Sequence, residues 1–211
     1  QLLQMEKTAM GMYISGHPLD SLKWLSELLK CQPLSEVQFT NPQKTIRILC
    51  TAQAIRRHRT KTGKEMAFLR IEDTSGSMDA VIFSELYSQC YPKLKEGNIL
   101  YITGKLSQRE QNNFVCESIR TQEDFPKLFQ QMQFCIKVSR QNGDMIKLQQ
   151  LSDIGRDCKG NTEIILYLTD ERKYVQLRQP ILIDVSKKTC QALYQIFPAE
   201  KVGLIPAIYR S

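Results

Sequence analysis

The sequence predicts a mixed β and α+β fold in three parts: a helical lead-in over 1–40, a five-stranded barrel over 41–122 and a small α+β domain over 123–211. Three observations predict it. Apolar residues recur at helical spacing as far as Lys30, the period drops to two from about Lys44 and holds for five successive runs, and after Thr121 helical and strand-like patterns alternate.

The lead-in reads as two short helices, Gln1 to Ile14 and Leu19 to Lys30, separated by Ser15-Gly16-His17-Pro18. In the second, Leu22, Leu25, Leu28 and Leu29 fall on adjacent faces, and Asp20 stands where an N-cap accepts free amide hydrogens. His17, beside a proline in a helix-breaking turn and without a neighbouring nucleophile or carboxylate cluster, reads as structural. The chain opens without Met, in Gln1-Leu2-Leu3-Gln4, which has the pattern of a helix interior, so a piece of a longer chain is expected.

Five strand candidates follow: Lys44 to Ile55, Glu65 to Glu72, Met78 to Phe83, Ile99 to Leu106 and Asn113 to Arg120. Asp73-Thr74-Ser75-Gly76-Ser77 is a tight turn, and Ser84 to Tyr91 reads as a helix between the third and fourth strands. Three strands, a helix, then two strands is the layout of the OB-fold, whose middle strands and flanking loops bind oligonucleotides. Beyond Thr121 the expected order is a strand at Phe134 to Ser139, a helix at Asp144 to Leu151 and a hairpin of Glu163 to Leu168 with Lys173 to Leu177. A helix at Ser186 to Ile196 and a last strand at Val202 to Ile205 complete it. The join is expected between Thr121 and Lys127, where Pro126 interrupts a polar stretch.

The 211 residues, 42% hydrophobic, are enough for one or two ordinary cores, and the net charge of +7 favours an acidic partner. Residues 41–122 hold thirteen Lys/Arg against eight Asp/Glu, so most of the excess lies in the expected barrel. Its source is the run Arg56-Arg57-His58-Arg59-Thr60-Lys61-Thr62-Gly63-Lys64, five fixed cations without an acid, read as a basic loop between the first two strands. Flexible Arg and Lys in such a loop neutralise phosphates and release counterions, which points to nucleic acid; a solvated hairpin tip is the other reading of the same charges. In the second strand Ala67, Leu69 and Ile71 share one face and leave Met66, Phe68 and Arg70 facing outward. A Phe beside an Arg there forms a stacking platform for unpaired bases. The nucleic-acid-binding residues are therefore taken as Arg56, Arg57, Arg59, Lys61, Lys64, Phe68 and Arg70. Tyr101 and Phe114 fit either a binding face or the core, and Ser107 to Asn112 is the second polar loop.

Catalytic chemistry is not proposed. There is no carboxylate cluster for metals and no GxxxxGK[ST] loop; Lys61-Thr62-Gly63-Lys64 precedes a strand, and Glu72-Asp73 sits where acids make turn hydrogen bonds. The seven cysteines are scattered without a CxxC pair or a companion histidine, as free thiols in a reducing cytosol would be. No run approaches eighteen apolar residues and no charged-then-apolar leader is present, so a cytoplasmic protein without a membrane span is expected.

Glu6-Lys7-Thr8-Ala9-Met10-Gly11-Met12-Tyr13-Ile14-Ser15-Gly16-His17-Pro18-Leu19-Asp20 resembles the junction after the fingers region of the bacterial replicative DNA polymerase III alpha subunits. Thr60 to Leu69, Glu72-Asp73, Gly76, Val81-Ile82-Phe83 and Gly97 are similar, in the same order, to the OB domain that follows there. Gly160-Asn161-Thr162-Glu163-Ile164 is similar to the family's C-terminal domain. The resemblance implies a C-terminal piece of a DNA-directed DNA polymerase, a nucleotidyltransferase whose catalytic carboxylates and Mg lie upstream of this chain. No cofactor is implied for the chain itself. It further implies single-stranded DNA as ligand and replisome partners for the last domain, among them the clamp-loader tau subunit. Gln1-Leu2-Leu3-Gln4-Met5 departs from the family's clamp-binding pattern and is not assigned. Two other readings stay open: an anticodon-binding OB domain of an aminoacyl-tRNA synthetase, and a non-catalytic protein-interaction module.

Overall fold

A computed structural model of the chain describes residues 16–107, 113–140 and 144–208. The helix expected at Gln1 to Ile14 and most of the loop Ser107 to Asn112 lie outside the described residues. The molecule divides into two compact units, the first running to Phe125 except for Glu27–Lys30, the second comprising Glu27–Lys30 and the chain from Pro126 onward.

In the first unit, strands β1 (Ile46–Arg59), β2 (Glu65–Glu72), β3 (Ser77–Ile82), β4 (Ile99–Leu106) and β5 (Phe114–Thr121) form a closed barrel in the order β1-β2-β3-β5-β4. All pairings are antiparallel except β3 with β5, which closes the barrel in parallel. This is the OB-type barrel expected from the strand order. Helix α1 (Lys23–Leu28) and the one-turn α2 (Leu34–Val37) precede it, and α3 (Ser84–Cys90) lies between β3 and β4 as predicted. Alternate residues fill the interior: Ile46, Ile48 and Cys50 of β1, Ala67, Leu69 and Ile71 of β2, and Phe114 of β5. Tyr87 and Cys90, three apart on α3, point the same way and join this core. Gly104 sits at the irregularity where β4 meets β5; a Cβ there would stand 2.1 Å from the Val115 carbonyl oxygen, so only glycine lets the strands close.

Two expectations for this unit change. Asp20 does not cap a helix: it begins a 3₁₀ turn, and its carboxylate accepts the His17 backbone N–H at 2.7 Å. Strand β1 does not stop at Ile55 but continues through Arg59, because its ladder to β2 needs backbone groups and not apolar side chains. Within the segment where the join is expected, Thr121 and Asp124 form a capping box on a 3₁₀ turn, and α4 (Phe125–Phe129) follows. The acidic turn is structural as expected, with Asp73 accepting hydrogen bonds from the backbone N–H groups of Ser75, Gly76 and Leu34.

In the second unit, β6 (Met132–Val138) and β7 (Lys159–Leu168) are parallel, so the chain between them must cross over. It does so through α5 (Asp144–Lys147), a 3₁₀ turn and α6 (Leu151–Asp157), which extends the helical region beyond the expected end at Leu151. β8 (Lys173–Gln176) makes the predicted hairpin with β7, and the unpredicted two-residue β9 (Leu182–Ile183) also pairs with β7. Helix α7 (Lys187–Ile196) starts at the N-cap Ser186, whose hydroxyl accepts from the Thr189 N–H. The last strand, β10 (Val202–Pro206), forms the sheet edge beside β6. All seven cysteines are free, and burial is the main reason the Cys31 and Cys190 thiols are pushed up to about 12. Among the described residues no helix is long and apolar enough to cross a membrane.

Candidate nucleic-acid interface

The basic run belongs to a hairpin. Thr60 donates its N–H to the Lys64 carbonyl at 2.8 Å, Gly63 donates to the Thr60 carbonyl at 2.9 Å, and Gly63 takes φ +80°, a region open to glycine at no steric cost. Only Lys61 and Lys64 therefore lie in the turn; Arg56, Arg57 and Arg59 are strand residues, all exposed.

Strand alternation then separates them. Arg56 pairs with Phe68, and Arg57 with Ala67. Residues directly opposite in an antiparallel ladder share a face, so Arg56 and His58 stand on the side of Phe68. Arg57 and Arg59 stand on the side of Ala67. The seven predicted residues are brought to one ribbon but not to one surface. Across the outer face Phe68 pairs with Val81 and Arg70 with Asp79, so β3 widens this face beyond the hairpin.

Phe68 is 39% exposed and makes an edge contact with His58 at 6.0 Å between ring centroids. It is a partly open aromatic surface, as predicted. Its neighbour Met66, expected to face outward in the open, is buried instead. Arg70 is engaged: its guanidinium holds Asp79 at 3.1 Å and donates to the Ser77 hydroxyl at 2.6 Å. Arg59 donates through Nε to the Gly63 carbonyl at 3.1 Å and so braces the turn. Phe114 and Tyr101 are buried and offer no platform.

Sequence reasoning did not find Tyr91. Its ring lies 4.6 Å from the Arg57 guanidinium carbon, within cation–π range, and connects the reverse of the ribbon to the end of α3. Nothing in strand periodicity signals a contact with a residue thirty-four positions away. His58 was legible in principle, since it follows Arg56 by two on a strand.

Among the described residues no three His, Cys, Asp or Glu side chains converge, so this part of the chain offers no donor set for a divalent ion. Side chains here present fixed cations, the open rings of Phe68 and Tyr91 and neutral hydroxyls, which is the chemistry of holding a polyanion with exposed bases.

Residues 53–121 match the family model described as an OB-fold nucleic acid binding domain. DNA polymerase III subunit alpha of Bacillus subtilis is 28% identical over 210 residues, covering 96% of this chain and 18% of that protein. The protein of the same name from Thermus aquaticus is 30% identical over 126 residues, covering 58% of this chain and 10% of its own. A solved domain of replication protein A from Methanococcus maripaludis is 18% identical and covers 43% of this chain and 93% of its own, at a TM-score of 0.36, a likeness too weak to bear on function. The chain thus spans less than a fifth of the length of the Bacillus relative. Over almost its whole length the chain is similar to a stretch of DNA polymerase III subunit alpha, and residues 53–121, most of the barrel, match the model of an OB-fold nucleic acid binding domain.

Proposed function

We propose that the barrel binds single-stranded DNA across the outer face of β1, β2 and β3 as part of a replicative DNA polymerase. One observation carries this reading: Phe68, an open aromatic ring on the second strand of a closed OB-type barrel, stands directly across the ladder from the exposed Arg56. The ring offers a π-face to any base, and Arg56 with the turn residues Lys61 and Lys64 meets the backbone phosphates. Arg57, Arg59 and Arg70 act less directly, because each already has a partner in the protein.

The parent polymerase would supply the catalytic carboxylates and Mg from elsewhere in its chain, and extend primers in the cytoplasm, while this part positions the strand. The second unit would meet replisome proteins, the clamp-loader tau subunit among them. Homology to DNA polymerase III subunit alpha along 96% of the chain favours this over an anticodon-binding or purely scaffolding barrel. The test is fluorescence anisotropy of a labelled 16-nucleotide single strand titrated with the chain at two salt concentrations. Salt-sensitive binding that is lost on replacing Arg56, Lys61, Lys64 and Phe68 supports the proposal, and salt-insensitive or absent binding removes it.

A further inference from the structure

The β1–β2 ribbon has a reverse side, and it carries its own set of groups. Arg57 stands there, its guanidinium carbon 4.6 Å from the centre of the Tyr91 ring. Tyr91 follows α3 directly and is 43% exposed; Tyr87, one turn earlier, lies with its ring centroid 5.5 Å away. Beside the two rings opens a cleft of about 630 Å³, also bounded by Lys64, Glu65, Glu85 and Ser88. That size lies within the range of small-ligand sites.

Tyr87 is only 2% exposed, yet its hydroxyl has no hydrogen-bond partner among the described residues. A buried hydroxyl left unpaired destabilises a protein, so its retention in the wall of a cleft points to a ligand that completes it. Burial pushes the Tyr87 pKa up, which keeps the hydroxyl neutral and able both to donate and to accept.

We propose that this cleft takes one unpaired nucleobase of the bound strand, as a second nucleotide subsite on the reverse of the ribbon; the proposal rests on the single-strand reading above. The exposed Tyr91 ring offers stacking area, and the neutral Tyr87 hydroxyl matches a base edge. Glu65 and Glu85 on the rim repel phosphate, so the nucleotide enters base first and leaves its phosphate outside. There Arg57, held over the Tyr91 ring, presents its remaining donors to the backbone. A strand so held passes around the hairpin, with Phe68 under one base and Tyr91 under another. An acidic peptide would meet the same arginine but would find the carboxylates at the mouth of the cleft unfavourable.

The experiment uses the 211-residue chain and the labelled 16-nucleotide strand, comparing Tyr91→Ala, Tyr87→Phe and Phe68→Ala. Tyr91→Ala is expected to weaken binding roughly 5- to 150-fold, the effect of losing one stacked base. Tyr87→Phe is expected to weaken binding and at the same time raise the thermal midpoint of the free protein, because the unpaired hydroxyl is gone. A residue that only supports the fold would not move these two readouts in opposite directions. If both tyrosine variants bind like wild type while Phe68→Ala is weakened, the reverse subsite is overturned and the outer face stands. If Tyr91→Ala is weakened and Phe68→Ala is not, the subsite stands and the outer platform falls. If none of the three changes binding, both are overturned.

Discussion

Removing Arg56, Lys61 and Lys64 together should change how binding responds to salt more than any other perturbation of the hairpin. All three are exposed, and the first lies on the face of Phe68. Arg57, Arg59 and Arg70 are each already occupied by Tyr91, Gly63 and Asp79, so the triple Ala variant removes the cations least committed to the protein. Each lost phosphate contact lowers the log-log salt slope by about 0.7 for a single strand, so three lower it by about 2. Between 50 and 200 mM salt, the triple variant should then lose about 20-fold less affinity than wild type does. Phe68→Ala should lower affinity by about 1–3 kcal/mol at either salt and leave the slope alone, since stacking releases no counterions. Its cost to the fold is small, because the ring is already 39% exposed and keeps one edge contact with His58. Fluorescence anisotropy across four salt concentrations, with thermal melts as a folding control, measures all of this. A triple variant with the wild-type slope would refute the reasoning and leave the hairpin a solvated tip. A folded Phe68→Ala variant with wild-type affinity would refute the platform.

Asp79→Asn should release Arg70 for the outer face, strengthening binding and steepening the salt slope by up to about 0.7, with little loss of stability because the pair is exposed; weaker binding would contradict this. Gly104→Ala should destabilise the barrel by about 1–3 kcal/mol or more, because the new methyl group meets the Val115 carbonyl and the Phe114 ring; urea unfolding reads this directly. The Lys93 hydrogen bond holds the Asp124 carboxyl below its ordinary value against the opposing effect of burial. A carboxyl whose folded pKa is depressed stabilises the protein fully above its unfolded pKa and loses that contribution as pH falls through the folded value. Lys93→Ala should therefore narrow the stability difference between pH 7 and the region below the ordinary value of 3.8, and equal acid sensitivity of the two proteins would contradict it.

Much of the fold is legible in the sequence. Period-two alternation located all five barrel strands, since burying one face of a strand forces it, and Gly, Ser and Asp marked the β2–β3 turn because only such residues form it cheaply. The outward place of Phe68 followed from Ala67 and Leu69 lying in the core. The signal failed where burial stopped constraining side chains: β1 continues past Ile55 on backbone pairing alone, so a strand looked like a loop. It failed again for short elements such as β9 and α4, which hold too few residues to show a period.

The sequence by itself determined the barrel, its charge and its aromatic, because these depend on local periodicity and composition. Only the tertiary structure decided which cations share a face, that Arg70 is taken by Asp79, and that Arg57 lies on Tyr91. Those facts depend on strand register and on contacts closed across long loops, and a one-residue shift in register sends a side chain to the opposite surface.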